Sequence, residues 1–246
     1  MKIVDQKIFL GLASLHLAAM RDDPGLLVEF VDTLEPEVPK AEKWVLMVST
    51  QFGCAVGCRM CDAGSLGYQG NLTAEEILDQ VRYIFRANVN LDVKTHPKIK
   101  IHFARMGEPS LNPNVLIALR SLAKEFPYPG IVPSLSSVAP KTPATGSFFE
   151  ELIDIKDEFF SQGRFQMQFS LHSTDERRRR EIIPIKSWGL AEIASYGERF
   201  VKNGKRFSAG ESPLPPDPRT SPDGSPRVLA GPLSTTGFKG DSPALN

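Results

Sequence analysis

All three cysteines of this chain lie in one segment, Gln51 to Gly64 (QFGCAVGCRMCDAG), spaced Cys54-x3-Cys58-x2-Cys61. That clustering constrains the fold more than any other feature, because backbone there must wrap a ligand or a redox centre instead of crossing a core. Thiolates are soft donors that suit zinc and iron–sulfur clusters. A structural zinc site is closed by four ligands. The four histidines, His16, His96, His102 and His172, all lie outside the segment, at no zinc-finger spacing from it. Three thiolates can instead hold three irons of a [4Fe–4S] cluster and leave the fourth iron open to a chelating molecule. Gly53 and Gly57 fit such a loop, since wrapping a cluster demands φ values that glycine adopts freely. A zinc or redox cysteine loop is the competing reading.

The loop follows directly on Trp44 to Ser49 (WVLMVS), a nearly continuous apolar run that suits a strand buried on both faces. From there strand and helix patterns alternate. Thr73-Ala74-Glu75-Glu76 reads as a capping box that opens a helix with Ile77, Val81, Ile84 and Phe85 on its apolar face. Strands are predicted over 98–104, 131–136 and 165–171, and helices over 112–126 and 147–162, the latter closed by Gly163. Further helical segments run to Asn203-Gly204. Four βα units in a row predict parallel strands with right-handed crossovers. The fold class is therefore α/β, a partial (βα) barrel over residues 43–207, with an open doubly wound sheet as the alternative.

Residues 1–42 read as a short helical segment, with helices over 5–20 and 25–34 separated by Asp23-Pro24-Gly25. Leu12, Leu15 and Ala19 share one helical face in that reading. The apolar stretch Ile8 to Met20 follows Lys2 and Lys7 and imitates a short signal peptide, but His16 interrupts it and no A-x-A site follows. Residues 208–246 hold eight prolines, five glycines and six serines. Such a segment buries too little apolar surface to offset its ordering entropy. It reads as a disordered tail, even as sequence foreign to the barrel, such as a frameshifted end. The barrel then stops about two strands short of a six-stranded one.

Formal net charge is zero, which argues against a whole-chain electrostatic pull on nucleic acid. Three clustered cysteines point to a reducing, cytoplasmic setting, and no apolar run approaches the length of a membrane span. Function in βα barrels sits at the C-terminal ends of strands. Four motifs fall there: the cysteine loop, Met106-Gly107-Glu108-Pro109, Leu135-Ser136-Ser137, and Ser170-Leu171-His172. Singly each has a bland reading as a turn or a helix cap. The run Arg177-Arg178-Arg179-Arg180 could grip phosphate, though Glu176 and Glu181 beside it favour a solvated charged face.

QFGCAVGCRMCDAG, the following NLTAEEI, MGEPSLN, LSSVAP and SLHSTDER…IIPI together resemble the RlmN/Cfr family of the radical S-adenosylmethionine superfamily, which methylates adenine carbons in ribosomal and transfer RNA. The resemblance spans roughly residues 44–206. It implies a [4Fe–4S] cluster on Cys54, Cys58 and Cys61, with S-adenosylmethionine chelating the open iron. It places Gly107 and Glu108 at the methionyl part of that cofactor, with Glu108 accepting from its ammonium group. Ser136, Ser170, Leu171 and His172 fall on the ribose and adenine side. A reductant protein such as a flavodoxin or ferredoxin, and RNA, are the implied partners, with no membrane. Two departures stand out. The family carries a mechanistic cysteine seven residues before the first cluster cysteine, and this chain has Met47 there. It also has no cysteine after Cys61 to carry a methyl group. Three activities compete on this evidence: an RNA methyltransferase of that family, a radical enzyme abstracting hydrogen from another substrate, and a cluster-binding protein without catalysis.

Overall fold

The computed structural model describes residues 1–201 and 207–210. An eight-stranded sheet organises them. Its strands are β1 (Lys2–Phe9), β2 (Ala13–Met20), β3 (Asp23–Leu34), β4 (Trp44–Val48), β7 (Ile99–Phe103), β8 (Ile131–Ser137), β9 (Gln166–Ser170) and β10 (Phe207–Gly210), and they lie side by side in that order. A small antiparallel ribbon, β5 (Gln51–Gly53) with β6 (Tyr68–Asn71), stands off it. The helices are α1 (Asp62–Ser65), α2 (Ala74–Ala87), α3 (Asn114–Glu125), α4 (Thr145–Phe159), α5 (Glu176–Ile182) and α6 (Leu190–Val201).

From β4 to β10 every neighbouring pair is parallel. Their spatial order follows the chain and never reverses, as in a singly wound barrel. A doubly wound sheet would reverse at a switch point. The alternative architecture is thereby set aside.

Alternation along these strands sorts two faces. Trp44, Leu46, Val48, Ile99, Ile101, Phe103, Leu135, Met167 and Phe169 are buried in the main core, which also takes in Ile77, Val81 and Ile84 of α2 and Leu119 of α3. The opposite face is more polar and mostly half-buried, with Ser134 fully buried. In register across it run Val31, Met47, His102, Ser134 and Gln166, with Ser136 beside Gln168 in the next row.

The N-terminal segment differs from the helical reading. Residues 2–34 form three antiparallel strands that extend the sheet beyond β4. The winning period is two: His16, Ala18 and Met20 are buried along β2, as are Val28, Phe30 and Asp32 along β3. Leu12, assigned to a helical face, is instead exposed in the β1–β2 turn. Arg21 and Asp22 form a two-residue connection with φ of 55° and 54°, the doubly left-handed turn that matches strand twist. Glycine and asparagine usually occupy it, so the sequence carries no hairpin signal. Arg21 also reaches Glu76 at 2.7 and 2.9 Å, fastening the turn to the first turn of α2.

Two boundaries also move. Helix α4 ends at Phe159, before the expected Gly163, and both Gln162 and Gly163 have positive φ. Ser208, Ala209 and Gly210, assigned to the tail, belong to β10 and pair with β9. The rest of the expected tail lies outside the described residues. The capping box stands as read: Glu76 N donates to Thr73 Oγ1 at 3.2 Å and Thr73 N to Glu76 Oε2 at 2.8 Å.

Candidate cofactor site at the strand ends

The cysteine loop leaves β4 through β5, and its path depends on glycine. Gly53 has φ +68°, and a Cβ there would lie 1.6 Å from the Gly67 carbonyl oxygen. That close approach lets Cys54 N donate to the same oxygen at 3.0 Å. Cys61 N donates to Cys58 O at 3.0 Å, closing a tight turn around the second and third cysteines. Val56 packs with Val138 and Ile183, and Cys54, Cys58, Ile182 and Ile185 rest against this small cluster. Arg59 N donates to Ile182 O at 3.0 Å. The end of α5 and the residues just after it therefore clasp the loop.

Cys54 and Cys58 are half-buried and Cys61 is exposed; all three are free thiols. Burial pushes the Cys54 thiol up, and it pushes Cys58 up to about 12, with Cys54, Cys61 and Glu108 adding repulsion. Three thiols that would repel one another as thiolates need a cation to be deprotonated together, and a metal centre supplies that charge. The chemistry of the donor set thus fits an iron–sulfur cluster. Among the described residues, no three His, Cys, Asp or Glu side chains are already gathered as a metal-holding group.

The second strand-end motif locks onto the first through Gln51. Gly107 has φ +95°, and a Cβ there would meet Gln51 Cβ and Cγ at 2.6 Å. Gln51 Oε1 accepts from Glu108 N at 3.0 Å and from Ala55 N at 3.3 Å, while its Nε2 donates to Asn71 at 2.8 Å. Asn112 in turn donates to the Thr50 and Leu72 carbonyls at 2.7 and 2.9 Å. Neither amide was singled out from sequence, although both stand inside quoted motifs. Their signal is position: each is a polar side chain beside a glycine turn whose backbone groups need partners.

Glu108 is 4% exposed and turned inward. Its Oε1 accepts from Ser110 N (3.0 Å), Ser110 Oγ (2.7 Å) and Ser137 Oγ (2.6 Å), and its Oε2 from Val138 N (2.9 Å). Burial raises its pKa and these donors oppose the rise. The carboxylate ties the Met106–Pro109 turn to the end of β8, and only Oε2 retains much accepting capacity.

Ser136 lies on the polar face, where its Oγ is 2.7 Å from His102 Nε2. Burial, with Lys100 adding to it, lowers the His102 pKa to about 3, so the ring is neutral at physiological pH. Ser170 ends β9 on the same face, two residues beyond Gln168. Leu171 is buried. His172 takes a left-handed conformation (φ 60°), and its Nδ1 is buried without a hydrogen-bond partner. The structure thus brings Gly107, Glu108 and the cysteine loop into direct contact. It sets Ser136, Ser170, Leu171 and His172 along the adjoining strand ends.

The arginine run divides. Arg177 and Arg180 are exposed and face Glu181 and Glu176 at 3.6 and 3.5 Å. Arg179 is buried, donating to the Trp188 carbonyl (2.6 Å) and the Val138 carbonyl (3.3 Å). The solvated-face reading holds for Arg177 and Arg180 and fails for Arg179.

Comparison with known proteins agrees with this arrangement. The profile of the Radical SAM superfamily matches residues 48–206. A dual-specificity RNA methyltransferase RlmN of Marinobacter nauticus is 31% identical over 184 residues, covering 74% of this chain and 46% of that protein. A ribosomal RNA large subunit methyltransferase Cfr of Clostridium botulinum (strain Okra) is 30% identical over 172 residues, covering 65% and 42%. An RlmN of Syntrophobacter fumaroxidans is 31% identical over 212 residues, covering 84% and 51%. The chain spans about half the length of the curated relatives it matches. Its fold matches the crystal structure of a radical SAM methyltransferase from Sphaerobacter thermophilus, with a TM-score of 0.68 at 24% identity, over 85% of this chain and 57% of that one. Cysteine loop, singly wound parallel strands and sequence similarity together place the chain in the Radical SAM superfamily, as an RlmN/Cfr-like member.

Proposed function

We propose that this chain is the cofactor-handling core of a radical S-adenosylmethionine enzyme related to RNA adenine methyltransferases. Cys54, Cys58 and Cys61 hold a [4Fe–4S] cluster, and S-adenosylmethionine binds at its open iron. One observation carries the reading: Gln51, Glu108 and Val138 knit the ends of β7 and β8 to the single loop that holds every cysteine. A cluster bound there, with its cofactor, supplies one-electron reductive cleavage of a sulfonium C–S bond.

The remaining work falls to the chain's own groups. Glu108 Oε2 can take one further hydrogen bond, enough for an ammonium donor of the methionyl moiety. Ser136, held by neutral His102, presents a hydroxyl of fixed orientation to a ribose. Ser170 and His172 close the adenine side. An external reductant, a flavodoxin or ferredoxin, would deliver the electron near exposed Cys61. Met47 lies on the polar face between Val31 and His102. A thioether there cannot ionise, so this position offers no thiolate nucleophile.

Anaerobic reconstitution should yield about four irons and four sulfides per chain. With dithionite and S-adenosylmethionine the protein should then release 5′-deoxyadenosine without forming methyladenine in ribosomal RNA. Tight zinc with no cluster would overturn the cofactor assignment. Methyladenine from this chain would overturn the argument from Met47.

A further inference from the structure

The Ile183–Ile185 segment also lines a groove of about 450 Å3 that includes none of the cysteines and that the cofactor reading does not use. Its wall includes Lys141, Arg179, Arg180, Lys186 and Trp188, and Glu176 is its one carboxylate. Arg179 is the telling member. It is 5% exposed, yet its two hydrogen bonds go to neutral carbonyls, those of Trp188 and Val138. Its Nε is buried with no hydrogen-bond partner among the described residues. A buried cation is ordinarily matched by a carboxylate or another anion, because leaving it uncompensated is costly.

Glu176 attracts Arg179 electrostatically, but burial outweighs that attraction, and no carboxylate hydrogen-bonds it among the described residues. Glu176 faces Arg180 at 3.5 Å with both side chains largely exposed. Glu192 is taken by Lys141 at 2.9 Å. Lys186 is exposed, and its backbone carbonyl accepts from Lys141 N at 2.7 Å, which sets the two lysine positions side by side. Of the four cations around this groove, Lys141 and Arg180 face carboxylates, Arg179 is desolvated and Lys186 is exposed, so the site stays net positive inside a chain of zero net charge.

We propose that this groove is a phosphate-binding site, with Arg179 as its fixed charge and Lys141, Arg180 and Lys186 as the mobile cations that close on a phosphate group. Guanidinium and ammonium donors in this number suit phosphate oxygens. The site stands apart from the cluster, since phosphate binding needs neither iron nor S-adenosylmethionine. It is nevertheless wired to it. The Val138 carbonyl that anchors Arg179 belongs to the residue whose amide anchors Glu108, and Ile183 packs against both Val138 and the cysteine loop. An internal phosphodiester of a nucleic-acid strand and a terminal phosphate of a nucleotide share the required chemistry.

The test is fluorescence anisotropy of the full chain with a short labelled oligoribonucleotide, titrated over a range of salt. Arg180→Glu with Lys186→Glu should weaken binding about tenfold or more and lower the salt slope by about 2, one per lost phosphate contact. Arg177→Glu with Arg178→Glu changes net charge equally outside the groove and should shift affinity less than about threefold on the same reasoning. Displacement by inorganic pyrophosphate assigns the site to terminal phosphates, and its failure to displace assigns it to the strand interior. Arg180→Gln with Lys186→Gln repeats the test without charge reversal, and thermal melting checks folding of every variant. Equal losses in groove and control variants, or no binding by the unaltered chain, would overturn the site.

Discussion

At the scale of single residues, the candidate site is more tightly prebuilt than its motifs imply. Glu108 reads in the sequence as an acceptor for a ligand, and the structure spends most of its accepting capacity on Ser110, Ser137 and Val138. Glu108→Gln places an NH2 group against some of those donors. Leaving a buried donor unmet costs about 1–3 kcal/mol, so the melting temperature should fall in differential scanning calorimetry even without ligand. An unchanged melt would mean the carboxylate is not the knot described. His102 makes a pH prediction. Its folded pKa of about 3 lies below the ordinary 6.5, so the unfolded chain binds a proton that the folded chain refuses. Stability is therefore fully present above pH 6.5 and is lost as pH falls toward 3, by at most about 5 kcal/mol from this ring. Burial lowers His16 and His172 as well, with the same sign. His102→Gln should flatten the acid limb of the stability–pH curve, and an unaltered limb would remove His102 from the account. The cysteine loop and Gly107 were legible because few other residue types serve a thiolate loop or a φ of 95°. Gln51 was not, because an amide that bridges two loops looks, in one dimension, like any polar residue.

Among elements, the alternating βα pattern from Trp44 onward could be read because buried parallel strands and amphipathic helices have distinct periods. The N-terminal hairpins could not. Leu12, Leu15 and Ala19 satisfy a helical spacing by coincidence, while the deciding burial of His16, Ala18 and Met20 comes from pairing with β3 and from packing of His16 on Phe30 and Tyr83. A histidine in that position reads as polar until its neighbours are known. The Arg21–Asp22 turn is the weakest local choice, with two non-glycine residues in the left-handed region. Asp22→Gly should relieve about 1 kcal/mol of that strain, and would raise the melting temperature by about 2–4 °C. Arg21 should be kept, because it holds Glu76 and lies over the Phe52 ring at 5.1 Å. No gain from Asp22→Gly would show that the turn is strain-free. Thr73→Ala removes one half of the α2 capping box and should cost about 1 kcal/mol, read as a lower denaturation midpoint with an unchanged slope.

For the whole molecule, the described parallel strands make a partial barrel whose polar face carries Met47, His102 and Ser136, and whose sheet is prolonged by antiparallel strands on the β4 side. Parallel βα units were foreseeable from the alternating pattern, while the strand order set aside the doubly wound alternative. The prolongation was not, since nothing local distinguishes a sheet extension from a separate hairpin. Removing a reconstituted cluster by chelation should, in hydrogen exchange, loosen residues 54–61 and 182–185 together while β4, β7 and β8 stay protected. Independent responses of the two segments would break the clasp. That clasp bears on biogenesis. The cysteines leave the ribosome early, but the Ile182 carbonyl and Ile183 side chain that pin them come more than a hundred residues later. Contacts so distant in sequence form late, because loop closure must come first. Until residues 182–185 are made, the three thiols therefore sit in a loop without its clasp, more open to a cluster-assembly scaffold and to oxidants alike. The interval in which iron can be loaded is the interval in which the site is most easily lost.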